Sequence, residues 1–365
     1  AVRVLVRKMT EDAPRASSLV RGVPPDLDEL VAKLLARQPA DRPSVETILE
    51  ATRGYATWSG LGPEDPRDAD SGELFVGRAR ELAFLRRAAA RIRWGENAAI
   101  LVHGESGIGK SALVRHFVSE LAAELDEPWI LRGRCSRRES MPFQSFDGVV
   151  DSLSSRLRLF PRDVLTSLLP PHAEFLSRAF PVLRRIPAFP SATARDARDP
   201  REQRAMLFDA MRSLFSSLGA ERPLVLVLED LQWLDPDSRA LIAELLRPPE
   251  APPILFVATL RTEGSAHRVP VAEPFPGVAV ERLGLEPLTG DDARLLARRL
   301  ATAFGRDSSA SAEWIVAESA GHPLFLAELV RHGARRADEA PLALDEVIEE
   351  RVSHVGAKAE QLLRL

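Results

Sequence analysis

Apolar residues recur along this chain in two rhythms, and the places where the rhythm changes divide it. Near the start, Leu27, Leu30, Val31, Leu34 and Leu35 fall on one face of a helix that must stop before Pro39. Residues 55–72, YATWSGLGPEDPRDADSG, mix Gly, Pro and acids without a period and read as a linker. From Phe75 onward, short continuous apolar runs alternate with helical ones. The runs at 98–102, 129–132, 224–228 and 254–259 read as buried strands. Those at 112–121, about 146–180, 202–218 and 238–246 read as helices, with a polar loop near 191–200. Such alternation predicts an α/β fold whose parallel sheet is covered on both faces. After about Leu288 only the helical period remains, at 291–300, 312–319, 323–331 and 344–354, which predicts a helical lid.

The chemistry begins where the first strand ends. Gly104, Glu105, Ser106, Gly107, Ile108, Gly109, Lys110 and Ser111 fit GxxxxGK[ST], between an apolar run and a helical one. In that context the glycines turn the chain tightly, the loop N–H groups point inward, and the next helix offers its positive end to phosphate. Lys110 is then expected to reach the β/γ-phosphates of a nucleotide and Ser111 to hold Mg²⁺. Lys is scarce, at positions 8, 33, 110 and 358 only, so a chance match is rare. The plainer reading is a glycine turn before a helix.

The run Leu224 to Leu228 ends in two acids, Glu229 and Asp230. Strand ends of a parallel sheet face the ligand, so carboxylates there meet the metal and the attacking water. Glu229 is expected to orient Mg²⁺ and Asp230 to polarise water. Asp is usual at the first of these positions, and the two roles could be exchanged. Read more plainly, the acids form a strand-end turn, with Asp235 and Pro236 starting the next helix.

Composition narrows the class. At 365 residues and 45% hydrophobic content the chain has room for two or three domains. No apolar stretch approaches the roughly 18 residues of a membrane span, and the N-terminus has no signal-peptide pattern. Cys135, the only cysteine, excludes an internal disulfide and reads as a small buried residue. A soluble, cytoplasmic protein without a membrane partner is expected. A net charge of −4 leaves no electrostatic footprint for nucleic acid, which is not an expected partner of this fragment. Opening on Ala1 and ending inside a helical pattern at Leu365, the chain reads as part of a longer protein.

Residues 104–111, the stretch Glu229-Asp230-Leu231-Gln232-Trp233-Leu234-Asp235, the strand ending Thr259-Leu260-Arg261, and Gly321-His322-Pro323-Leu324-Phe325 together resemble the successive motifs of the STAND ATPases, a branch of the AAA+ class. The opening Leu74 to Leu82 is similar to their hhGRExE entry motif, departing from it at Ala79, where Glu is usual. The resemblance implies a parallel-sheet P-loop NTPase with a C-terminal helical lid. It places Val76 and Gly77 near the adenine, makes Arg261 the sensor of the γ-phosphate, and packs Pro323 on the base from the lid. Plainer readings stand beside these. Arg261 could pair with Glu263 at the surface, Gly321-His322-Pro323 could merely start a helix with a structural His322, and Phe75-Val76 could be core.

Residues 23–30, VPPDLDEL, followed by 34–44, LLARQPADRPS, look like the last helices of a serine/threonine kinase C-lobe. In that family the arginine matching Arg42 pairs with the glutamate of an A-P-E motif. The chain carries no kinase Gly-rich loop, H-R-D loop or D-F-G, so no phosphotransfer to protein is expected from it. The expected organisation is a kinase C-lobe remnant at 1–54, a linker at 55–72, a P-loop ATPase domain at 73–285, a lid at 286–343, and the start of a winged-helix or helical-repeat region at 344–365. The expected function is a slow ATP-hydrolysing switch in a kinase signalling protein. Its expected partners are ATP and ADP, its own kinase domain and C-terminal sensor repeats, with a nucleotide-dependent oligomer as a further option. A mechanochemical AAA+ ring, a DNA-binding initiator-like ATPase and a non-hydrolysing nucleotide scaffold remain as alternatives.

Overall fold

The computed structural model describes residues 14–19, 25–36, 41–44, 47, 74–92, 94–136, 142–190, 199–249, 251–262, 274–304 and 312–333. The expected linker at 55–72 and the region at 344–365 lie outside them. The chain divides into two compact units, Ala1–Ser71 and Gly72–Leu365.

The first unit holds the short helix α1 (Ala16–Leu19) and helix α2 (Pro25–Leu34). Proline suits the start of α2, because the first-turn N–H it lacks has no intrahelical partner anyway. The Asp28 carboxylate ties the two helices together, accepting from Ser17 N at 2.8 Å and Ser17 Oγ at 2.7 Å. Leu30 is buried, but Leu34 and Leu35 of the expected apolar face are exposed. Arg42 donates through Nε to Ala36 O at 3.0 Å.

The second unit is built on a five-stranded parallel sheet of β1 (Ala98–Gly104), β2 (Trp129–Arg134), β3 (Leu224–Glu229), β4 (Ile254–Arg261) and β5 (Val280–Gly284), in the order β2-β3-β4-β1-β5. Period-two alternation sends each strand's side chains to opposite faces. Leu101, Leu226, Leu228, Phe256 and Ala258 join one core, together with Phe146, Leu153, Leu214 and Phe215 of helices α5 (Gln144–Leu157) and α8 (Pro200–Glu221). Ile100, Val102, Val225, Val227 and Val257 join the other, against Leu85 of α3 (Ala79–Ile92) and Leu113 and Phe117 of α4 (Lys110–Glu124). Each such aliphatic side chain, fully buried, is worth about 1.5–3 kcal/mol, which pins strand register to the pattern of the sequence.

Between α5 and α8 the chain forms α6 (Arg162–Leu168) and α7 (Ala173–Ala179), so the helices expected at about 146–180 are three. Helix α9 (Pro236–Leu246) follows β3. Its N-cap is Asp235 with Pro236 at the first position, as the sequence suggests. The lid is α10 (Gly290–Ala303), α11 (Ala312–Glu318) and α12 (Pro323–Gly333), around a core that includes Leu288, Ala297, Leu300, Ile315, Leu326 and Leu329. Two elements go beyond the sequence reading. Helix α3 lies in the entry segment, and β5 is an edge strand, VERLG, with Glu281 and Arg282 exposed. Among the described residues no helix is long and apolar enough to cross a membrane.

Candidate nucleotide-binding site

The sheet order decides what meets at its C-terminal edge. Strand β4 lies between β1 and β3, and Gly104, the last residue of β1, is in register with Arg261, the last of β4. On the far side of β3, Arg134 of β2 is in register with Glu229. The loop after β1, the acids after β3 and Arg261 therefore share one edge of the sheet, where ligands of open α/β sheets bind.

Residues 104–111 form a tight loop leading into α4. Gly107 has φ 81° and Gly109 φ 99°, left-handed values that a side chain would strain. Gly109 is also the N-cap of α4 and no side chain caps the first turn, which leaves that turn's N–H groups to serve an anion. Lys110 Nζ donates to Gly104 O at 2.9 Å and Glu105 O at 2.6 Å, closing the loop on itself. Burial pushes the Lys110 pKa down, opposed by the charge of Asp230, reinforced by Arg261 and opposed by Glu105. Asp230 and Arg261 therefore lie within electrostatic reach of the ammonium.

The acids differ in their surroundings. Glu229 Oε2 accepts the Ser111 hydroxyl at 2.7 Å, so the two expected metal ligands are already paired. Asp230 has a left-handed φ of 59°, and its backbone N–H donates to Thr259 Oγ1 at 3.1 Å. Its carboxylate accepts from Arg134 Nε at 2.7 Å and from Gln232 Nε2 at 3.1 Å. Gln232 Oε1 in turn accepts the Arg261 N–H at 3.1 Å, and Thr262 N donates to Gly104 O at 3.1 Å. The Arg261 side chain is exposed at this edge.

Entry segment and lid close the site from the other direction. Val76 is buried, and a Cβ built on Gly77 would lie 2.4 Å from Asp292 Oδ2 of α10. Phe75 stacks on His116 of α4 at 4.1 Å, and its carbonyl accepts from Arg299 of α10 at 2.9 Å. Arg78, itself buried, spans from Glu81 Oε1 to the Ile108 carbonyl of the phosphate loop, both at 3.1 Å. Pro323 starts α12, flanked by His322 and Leu324, which both touch Gly107. The residues expected from sequence are thus drawn to one edge and its lid. Sequence reasoning assigned no role to Arg134, Thr259, Gln232, Arg78 or Asp292. For Arg78 the signal was its place in the entry motif, whereas Arg134 carried none.

A glycine-rich loop closed by a lysine, a hydroxyl paired to a strand-end carboxylate and a five-stranded parallel sheet define a P-loop nucleotide-binding domain of the α/β class. The AAA ATPase domain model matches residues 74–257, half of the chain, and the chain belongs to that family. A Rhizobium meliloti protein is 26% identical over 306 residues, covering 78% of this chain and 27% of its own length. The serine/threonine-protein kinase PknL of Mycobacterium tuberculosis is 50% identical over 42 residues, 12% of this chain and 10% of the kinase. The chain therefore spans about a quarter or less of these relatives. Among solved structures, the Walker-type ATPase of Pyrococcus abyssi is similar at 17% identity over 80% of this chain and 76% of its own, with a TM-score of 0.47. The ORC1 protein of Aeropyrum pernix, solved with DNA, is 15% identical over 78% of this chain and 69% of its own, with a TM-score of 0.41.

Proposed function

We propose that this chain is an ATP-binding, slowly hydrolysing regulatory switch of the STAND type within a serine/threonine kinase signalling protein. The observation that carries the nucleotide reading is the 2.7 Å bond between Ser111 Oγ and Glu229 Oε2. It brings two hard oxygen donors from separate elements to one point, a donor set that suits Mg²⁺. Mg²⁺, when bound, supplies charge neutralisation to the phosphates.

The chain's own residues would do the rest. Lys110 would exchange its carbonyl partners for the β/γ-phosphates, and the N–H groups of residues 105–111 would cradle them. Asp230 would polarise the attacking water, Arg261 would sense the γ-phosphate, and Val76, Gly77 and Pro323 would hold the adenine. Slow turnover fits the Asp230 carboxylate, whose two oxygens each already accept one hydrogen bond, from Arg134 and from Gln232, and so are shared between these partners and a water. A switch needs states of unequal affinity, so the contacts of lid and Arg261 matter more than raw binding strength.

The kinase context is supported by residues 23–44 and by the 42-residue likeness to PknL. On this reading 1–54 is the tail of a kinase C-lobe, 55–72 a linker, 73–285 the ATPase domain, 286–343 the lid and 344–365 the start of a further region. The test is direct. The chain with ATP and Mg²⁺ should bind nucleotide in calorimetry, release phosphate slowly and transfer no label to serine or threonine. Absence of binding overturns the ATP reading. Fast release by a species that assembles with ATP favours a mechanochemical ring instead.

A further inference from the structure

The register between β3 and β4 ends at Leu228 and Ala258, short of the residues that face the nucleotide edge. Past that rung side chains take over the pairing. The Asp230 N–H donates to Thr259 Oγ1 at 3.1 Å, and the Arg261 N–H donates to Gln232 Oε1 at 3.1 Å. Successive N–H groups of a strand point to opposite edges, and the next one, of Thr262, goes to Gly104 O of β1 at 3.1 Å. Gln232 therefore stands where one more backbone rung between β3 and β4 would be.

The Gln232 amide is held at both ends. Its Nε2 donates to Asp230 Oδ1 at 3.1 Å while its Oε1 accepts from Arg261 N, so a single group joins the acid to β4. A carboxylate accepts and a backbone N–H only donates, so the bridge must offer a donor and an acceptor side by side, which an amide does. The short turn Leu231–Trp233 fixes where the side chain starts: Leu231 is buried, and Trp233 N donates to Asp230 O at 3.0 Å. The other partner of the carboxylate is of a different kind. Arg134 reaches Oδ2 from β2, the edge strand on the far side of β3, through a side chain that is 75% exposed. One oxygen is thus anchored to the middle of the sheet and the other to a long side chain at its rim.

We propose that Gln232 is a positioning residue for the water-polarising acid, tying the Asp230 carboxylate to the end of β4, the strand that carries Arg261. Acid and γ-phosphate sensor then keep one geometry, because both are set by the same stretch of backbone. Without this bridge the carboxylate is left to Arg134, which draws it toward β2 and away from Arg261. The two partners of Asp230 therefore act in opposite senses: Gln232 aims the carboxylate, and Arg134 competes with water for it. The inference rests on the reading of Asp230 and Arg261 given above.

Two substitutions separate aiming from support of the sheet. Gln232→Leu removes both bonds at similar volume, whereas Gln232→Glu keeps an acceptor for the Arg261 N–H and loses the donor to Asp230. Phosphate release by the 365-residue chain with ATP and Mg²⁺ should show kcat about tenfold lower in both variants, the span expected of one lost hydrogen bond. KM, and the calorimetric affinities for ADP and a non-hydrolysable ATP analogue, should stay within about threefold of the parent, since no contact to nucleotide is lost. Arg134→Ala should move kcat the other way. Parent-like kcat in Gln232→Glu would make Gln232 a rung of the sheet and nothing more. A rise of kcat in Gln232→Leu, or a loss of affinity in step with kcat, would equally overturn the proposal. Asp230→Asn is the reference: if it loses turnover and the Gln232 variants do not, only this inference falls. If Asp230→Asn turns over like the parent, the assignment of the acid has failed first.

Discussion

The Ser111 hydroxyl and the Glu229 carboxylate lie 2.7 Å apart, although 118 residues separate them in the chain. One stands in the first turn of α4 and the other at the end of β3, and β4 runs between their strands. A hydroxyl donating to a carboxylate here neutralises no charge, and the pair offers two oxygens to a cation. Around this bond the roles of the other residues become testable.

Lys110 now satisfies the carbonyls of Gly104 and Glu105. Lys110→Ala should weaken ATP binding by at least about 1.5 kcal/mol, the worth of a charge-assisted contact. Calorimetric titration reads this out, and undiminished affinity would remove the P-loop assignment.

Asp230→Asn should keep ATP binding and lose turnover, since it removes the water-polarising group and leaves the cradle intact. Glu229→Gln should make phosphate release depend more steeply on Mg²⁺. Arg134→Ala, which frees the Asp230 carboxylate from its 2.7 Å partner, should speed release relative to the parent. Phosphate-release assays across a Mg²⁺ series decide all three, and parent rates in Asp230→Asn would refute its role.

Arg261 belongs to the same edge as Lys110, and its charge is felt there. Arg261→Ala should narrow the affinity gap between a non-hydrolysable ATP analogue and ADP by about 1.5–3 kcal/mol, because ADP lacks the phosphate it would bind. Equal weakening of both nucleotides would make Arg261 structural.

Asp235 ties two helices. Its Oδ1 accepts from Ser238 N at 2.8 Å and its Oδ2 from Ser145 N at 2.9 Å. Burial works to raise its pKa, but the hydrogen bonds from Ser238 and Ser145 together hold it below the usual 3.8. A depressed carboxylate contributes stability that is present above the unfolded-state value and lost as pH falls through the folded one. Asp235→Ala should cost about 1–2 kcal/mol at pH 7, as for a lost N-cap. In denaturant titrations the difference from the parent should shrink as pH is lowered through and below 3.8. A difference independent of pH would contradict the carboxylate's role.

The sequence by itself determined whatever is contiguous. The phosphate loop is legible because eight neighbouring residues make the turn, the donors and the helix start together. Strands β1, β3 and β4 are legible because a strand buried on both faces needs an unbroken apolar run. Strand β5 was not, since an exposed edge admits Glu281 and Arg282 and erases the pattern. Only the tertiary structure decided that Arg134 holds Asp230 across 96 residues, that Thr259 Oγ1 caps the Asp230 N–H, and that Asp292 and His322 lie against Gly77 and Gly107. Those meetings depend on the strand order β2-β3-β4-β1-β5 and on where the lid docks. Both are set by the summed burial of three apolar cores, a property of the whole folded chain that no local spacing of residues encodes.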